Sequence, residues 1–143
     1  MNKEIIIDAK NKIVGRLASF VAKELLKGNK IIVVNVEKAV VSGKREVIIE
    51  KFMEKVKRGD AYKGPFYPKH PDEIFRRIVR GMLPYKKERG KTALKNLKVF
   101  YGLPEEYKDK ITNIKIKDVN DLMKTGYISL EDISLSIGAK KRW

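Results

Sequence analysis

The 143-residue chain contains no cysteine. A disulfide framework, a thiolate zinc site and a catalytic thiol are therefore excluded. It has one histidine, His70, too few for a histidine-based metal site. No apolar run approaches the roughly 18 residues that a membrane span needs, and the apolar stretch near the start of MNKEIIIDAK is too short for a secretory signal. The expectation is a soluble, intracellular protein. Nucleotide and hydrolase signatures are also missing: there is no GxxxxGK[ST] loop, no GxGxxG fingerprint and no GxSxG elbow. Acid is scarce as well. Eighteen Asp and Glu face 33 Lys and Arg, for a net charge of +15. Such an excess points to a polyanionic partner. With 43% apolar residues there is material for a core, so a wholly disordered polybasic chain is excluded. The length suits one domain over residues 1–143.

The first 40 residues read as strand, helix, strand. Ile5–Ile7 is a β-branched run. Val14, Leu17, Ala18, Val21 and Leu25 follow with helical spacing, and Gly28 stands where a helix-ending glycine belongs. The run from Ile31 to Val36 suits a strand buried on both faces. This βαβ pattern predicts an α/β fold with a mainly parallel sheet. Residues 44–57 read as a second helix. Pro71-Asp72-Glu73 opens a third, which Pro84 ends. A helix over roughly 87–97, a strand at Val99–Tyr101, a short helix near Val119–Lys124, a strand near Tyr127-Ile128 and a last helix complete the reading. Ser129 and Asp132 are spaced as a capping box. Residues 107–117 read as a charged loop.

The charge is concentrated. Residues 38–98 carry 18 basic and 7 acidic groups, and residues 76–98 carry nine basic groups and one acid, Glu88. On a helical wheel Ile74, Phe75, Ile78, Val79 and Met82 form one arc, while Arg76, Arg77 and Arg80 face out together. An ordinary solvated face normally mixes signs, so phosphate contact is the favoured reading. Lys86, Lys87, Arg89, Lys91, Lys95 and Lys98 continue the pattern. The long loop at 58–71 interleaves Tyr62, Phe66 and Tyr67 with Arg58, Lys63, Lys69 and His70. That mixture suits unstacked RNA bases; rings packing the loop onto its own body are the alternative. His70 reads as a loop residue or an RNA contact.

An enzymatic reading rests on Asp8, at the end of the first strand, with Glu37 as its acid–base partner. Lys10 stands where a second acid would complete a motif, and an ion pair of Glu37 with Lys38 is equally natural. A nucleic-acid-processing enzyme is the runner-up, and an assembly factor that leaves the mature particle is a third reading.

Three segments form a recognisable series. DAKNKIVGRLAS (8–19), VVNVEKAVVSG (33–43) and RRIVRGMLPYKKERGKTALKNLKVFYG (76–102) resemble the universal large-subunit ribosomal protein L-thirteen family. GPFYPKHPDEIFRRIVRGMLP (64–84) and the ending SLEDISLSIGAKKRW resemble its archaeal branch. Val36 and Ser42 stand where the family often has Ala and Thr, and residues 103–126 match poorly. The resemblance implies a three-layer α/β/α fold around a mainly parallel sheet of about four strands, with a basic loop and a C-terminal extension. It implies a structural, non-enzymatic role in the large ribosomal subunit, with rRNA and neighbouring ribosomal proteins as partners and with no cofactor, metal, membrane or small-molecule substrate. Matching positions expected to contact rRNA are Arg16, Lys38, Lys44, Arg76, Arg77, Arg80, Lys86, Lys87, Arg89, Lys91 and Lys95; Lys38 and Lys44 also fit local caps or ion pairs. The loop reading adds Arg58, Lys63 and Lys69.

Overall fold

The computed structural model describes residues 3–58, 67–112, 114–122 and 126–143. It opens with the expected βαβ unit: β1 (Glu4–Asp8), α1 (Val14–Leu26) and β2 (Lys30–Val34). The two strands pair in parallel from Glu4 with Lys30 to Asp8 with Val34, and α1 is the crossover that a parallel pair requires. Its apolar positions, Val14, Leu17, Ala18, Val21, Ala22 and Leu25, are all buried. The helix stops at a Schellman turn. Gly28 takes φ 90°, its N–H reaches the Leu25 carbonyl at 3.0 Å, and the Asn29 N–H reaches Glu24 at 3.2 Å. Only glycine enters that left-handed region without strain.

The apolar run after Gly28 does not stay in the sheet through Val36. Asn35 takes φ 57°, a conformation its short polar side chain tolerates, and a 3₁₀ turn follows at Val36–Lys38. A short strand then forms, β3 (Val40–Ser42), which no sequence periodicity marked. α2 (Arg45–Lys57), α3 (Pro71–Gly81) and α4 (Glu88–Lys95) come next, then β4 (Leu97–Val99). β4 lies parallel to β2, with Leu97 opposite Ile31. It sits two residues before the expected strand because β2 turns away at Asn35: the Phe100 N–H still reaches the Val33 carbonyl at 2.8 Å, but the bonds beyond it come from the turn, Val36 N–H to Phe100 at 3.4 Å and Asn35 N–H to Gly102 at 2.7 Å. Phe100 packs on the second face of the sheet, and the Tyr101 hydroxyl donates to Asp72. The expected short helix near Val119 is a 3₁₀ turn, Val119–Leu122. β5 (Tyr127–Ser129) pairs antiparallel with β3. α5 (Leu130–Ser136) follows, its first turn capped by Ser129 Oγ, which accepts from the Asp132 N–H at 3.2 Å.

The α/β class and the mainly parallel sheet are as the sequence predicted; the finer layering differs. Among the described residues, five strands divide into a parallel sheet ordered β1-β2-β4 and an antiparallel pair, β3-β5. On one face Ile7, Ile31, Val33 and Leu97 join a core to which all five helices contribute. The other face, Ile6, Ile32 and Val34, is covered by Phe100 and Tyr107 instead of a helical layer. Charged residues 103–112, broken by Pro104, carry no amphipathic stripe long enough for a helix. This segment instead shields the outer strand, where the Thr112 N–H donates to the Ile6 carbonyl at 2.8 Å. No helix among the described residues is long and apolar enough to cross a membrane.

Candidate nucleic-acid interface

α3 is anchored by Ile74, Phe75 and Val79, each fully buried. Pro71 occupies its first turn with Asp72 and Glu73, where missing N–H groups and negative charge are best tolerated. His70, at its N-cap, stands 3.9 Å from Glu73, and its Nε2 is buried with no partner among the described residues. Arg76, Arg77 and Arg80 all line an open groove of about 610 Å³ between α3, α4 and Tyr67-Pro68. Their roles differ, however, and here the wheel is corrected. Arg76 turns onto α4 and donates to the Leu97 carbonyl at 2.9 Å and to Leu94 at 3.2 Å. Leu94 is in the last turn of α4, where carbonyls lack intrahelical partners and carry the negative end of the dipole, and Leu97 opens β4 just beyond it, so the guanidinium finds two acceptors together. Arg76 is thus a strut between α3 and α4. Arg77 stays exposed, 5.8 Å from the Tyr67 ring. Arg80 is half-buried and stacks over Tyr85 at 4.4 Å.

α4 continues the cationic side. Lys86, Lys87, Arg89, Lys91 and Lys95 are all exposed, while Gly90 and Ala93 face inward. Gly90 is where the helix presses on the turn before it. A Cβ there would meet the Pro84 carbonyl oxygen at 2.0 Å. Among the described residues, none of these cations has a carboxylate within 4.0 Å; Lys27, Arg45 and Lys141 do. Unpaired cations on adjoining elements make a field that a scattered +15 would not.

The remaining expected contacts are more dispersed. Arg58 and Lys69 are exposed at the two ends of the 58–71 segment. Tyr62, Lys63 and Phe66 lie outside the described residues. Tyr67 packs onto the body, edge-on to Phe52 at 6.1 Å and under Lys55 at 5.4 Å. Burial pushes its phenol above the usual range, against the lowering effect of Arg77. Lys38 is exposed at the end of the 3₁₀ turn, and Lys44 is the exposed N-cap of α2. Arg16 is exposed on α1.

Asp8 and Glu37 hold backbone instead of facing each other. Both carboxylate oxygens of buried Glu37 accept from the Gly102 N–H at 3.1 Å. Asp8 accepts from the Lys10 N–H at 2.9 Å and from Asn35 Nδ2 at 3.0 Å. Sequence reasoning missed Lys23, Lys115 and Lys117, which line a groove with Arg16. The signal was present in the alternation of Ile114, Lys115, Ile116 and Lys117.

Fold and site together define a small basic α/β protein with cations clustered on α3, on α4 and in the turn between them, a distribution that fits a polyanionic partner. Comparison with known proteins makes this specific. The family model described as "Ribosomal protein L13" matches residues 2–106. The protein named "Large ribosomal subunit protein uL13" from Methanopyrus kandleri is 46% identical over 93% of this chain and 86% of its own length. The protein of that name from Methanosarcina barkeri is 47% identical over 94% and 98%, and the one from Haloarcula marismortui 40% identical over 98% and 94%. The chain belongs to the ribosomal protein L13 family, and these relatives are archaeal. Their names are those of ribosomal proteins, not of enzymes, and the Asp8–Glu37 reading ends there.

Proposed function

We propose that this protein is a structural constituent of the large ribosomal subunit, binding large-subunit rRNA and supporting subunit assembly in the cytoplasm. It acts as one domain over residues 1–143, with no cofactor and no chemistry of its own. The observation that carries the reading is the set of cations on α3, on α4 and in the turn between them that have no carboxylate partner among the described residues. Arg77, Arg80, Lys86, Lys87, Arg89, Lys91 and Lys95 neutralise phosphate there. Arg16, Lys38, Lys44, Arg58, Lys63 and Lys69 add contacts elsewhere on the surface, and Arg76 holds the α3–α4 face in shape. Neighbouring large-subunit ribosomal proteins complete its surroundings.

The test is sedimentation of tagged protein on a sucrose gradient before and after a high-salt wash. One copy per large subunit, retained through the wash, is expected. A chain carrying Lys87→Glu, Arg89→Glu and Lys91→Glu should fold and fail to enter the particle. Wild-type protein at the top of the gradient, or on immature particles alone, would overturn the proposal, as would normal incorporation of the folded triple variant.

A further inference from the structure

Arg16, Ser19 and Lys23 project from the outer side of α1, two helical turns from end to end. α1 packs its buried stripe against α3 and α4, so this outer row points away from that packing, and its groove shares no lining residue with those that Arg76, Arg77, Arg80 and Arg89 line. Residues 114–117 run past it. There Ile114 and Ile116 pack onto the core while Lys115 and Lys117 are exposed. This is the period-two alternation of an extended chain, and it sets the two ammonium stems about 7 Å apart on one side. The segment is fixed at its end: the Ile13 N–H donates to the Lys117 carbonyl at 3.0 Å, and the Val119 N–H to Asn11 at 3.0 Å. Helix and segment form the walls of a groove of about 400 Å³. Four cations and Ser19 line it, Phe20 gives it an apolar floor, and no acid is among its lining residues.

We infer that this groove is a second binding site for RNA backbone, independent of the α3–α4 face, so that the protein clamps two separate RNA segments. The inference rests on the rRNA-binding reading above. Two parallel rows of cations, one held by a helix and one by a pinned extended segment, are already in place to meet consecutive phosphates. Phe20 between them suits the apolar face of a sugar or base. Lys115 and Lys117 lie beyond the 2–106 span of the family match. This half of the site is therefore read from the chain's own geometry.

The test is backbone-cleavage footprinting of large-subunit rRNA with the full chain, with Lys115→Glu/Lys117→Glu, and with Lys91→Glu/Lys95→Glu. Both variants alter exposed residues, and circular dichroism checks their fold. Wild-type protein should protect two patches separated in the RNA, each pair of substitutions erasing one patch and sparing the other. Loss of the Lys115 and Lys117 contacts should also flatten the slope of log K against log salt by about 1.4–1.8, the value for two phosphates. A footprint unchanged by Lys115→Glu/Lys117→Glu, or both variants erasing the same patch, overturns the two-site proposal alone. So does unchanged protection with loss of a neighbouring protein from reconstituted particles, which would make the groove's occupant an acidic protein surface. No protection by wild-type chain would overturn the rRNA-binding function with it.

Discussion

Replacing Gly90 by alanine tests the packing that shapes the cationic side. In most helix interiors this change stabilises, because alanine exceeds glycine in helix propensity by about 1 kcal/mol. At Gly90 the added Cβ would lie 2.0 Å from the Pro84 carbonyl oxygen, 2.3 Å from its carbon and 2.8 Å from the Tyr85 nitrogen. All three obstacles are backbone, so no rotamer change relieves them. Overpacking costs about 1–3 kcal/mol, and a backbone obstacle places this site at the upper end. Set against the propensity gain, a net loss of about 2 kcal/mol remains. For a chain of this size that lowers Tm by about 4–8 °C. Gly81, the last residue of α3, is the control: a Cβ there meets nothing within 4 Å. Gly81→Ala should therefore gain about 0.4–1 kcal/mol. Thermal melts of the full chain by circular dichroism, in one buffer, give both numbers. A Gly90→Ala protein melting at or above wild type, or both variants shifting in the same direction, would refute the close approach of α4 to the Pro84 turn.

Arg76→Ala should cost about 1.5–3 kcal/mol of stability through its lost charge-assisted bonds to Leu94 and Leu97. Arg77→Ala should leave stability within about 0.5 kcal/mol and weaken RNA binding with a shallower salt slope; urea melts and filter binding showing the reverse assignment would sink the division of labour. Ser134 is fully buried, and its Oγ has no partner among the described residues. Ser134→Ala should raise the urea midpoint, by up to about 1 kcal/mol in stability, and a lower midpoint would contradict the orphaned hydroxyl. The Tyr101 phenol is held well above its ordinary value near 10 by burial, then by the hydrogen bond it donates to Asp72 and by that group's charge. A folded value above the unfolded one means stability fully present below pH 10 and lost as pH rises beyond it. Tyr101→Phe should remove that part of the alkaline loss, measured as Tm against pH.

Where periodicity is long and its punctuation strong, the structure follows the sequence closely. The α1 stripe with Gly28 behind it, and α3 with Pro71 as its first residue, fell within a residue or two of their expected bounds. β3 was invisible because a three-residue antiparallel strand carries too few positions to show a period. β4 was misplaced because Phe100 and Tyr101 look like strand residues, yet β2 turns away at Asn35, so the regular ladder stops at Val99 and the two rings go to tertiary partners. In the site, a helical wheel gives the direction of Arg76 but not the reach of its side chain, so two carbonyls brought close only by the fold were out of view. The same limit hid the groove beside α1. Lys115 and Lys117 are unremarkable in a charged stretch until the fold lays that stretch along Arg16 and Lys23.

The register of Ile31 with Leu97 has a kinetic and thermodynamic consequence. The chain leaves the main sheet after Val34 and comes back beside the strand it left only at Leu97. α2, α3, α4 and most of the positive charge lie on this one long excursion. Such a closure is slow to find, because its entropy is lost before its contacts form. It also gathers like charges that repel one another. A polyanion that grips α3 and α4 neutralises the repulsion while the loop closes, and binding only the closed form adds to its stability by mass action. The third strand of the sheet and the cationic surface of α3 and α4 are thus set by the same closure, so under the proposed function the polyanion would double as a folding template.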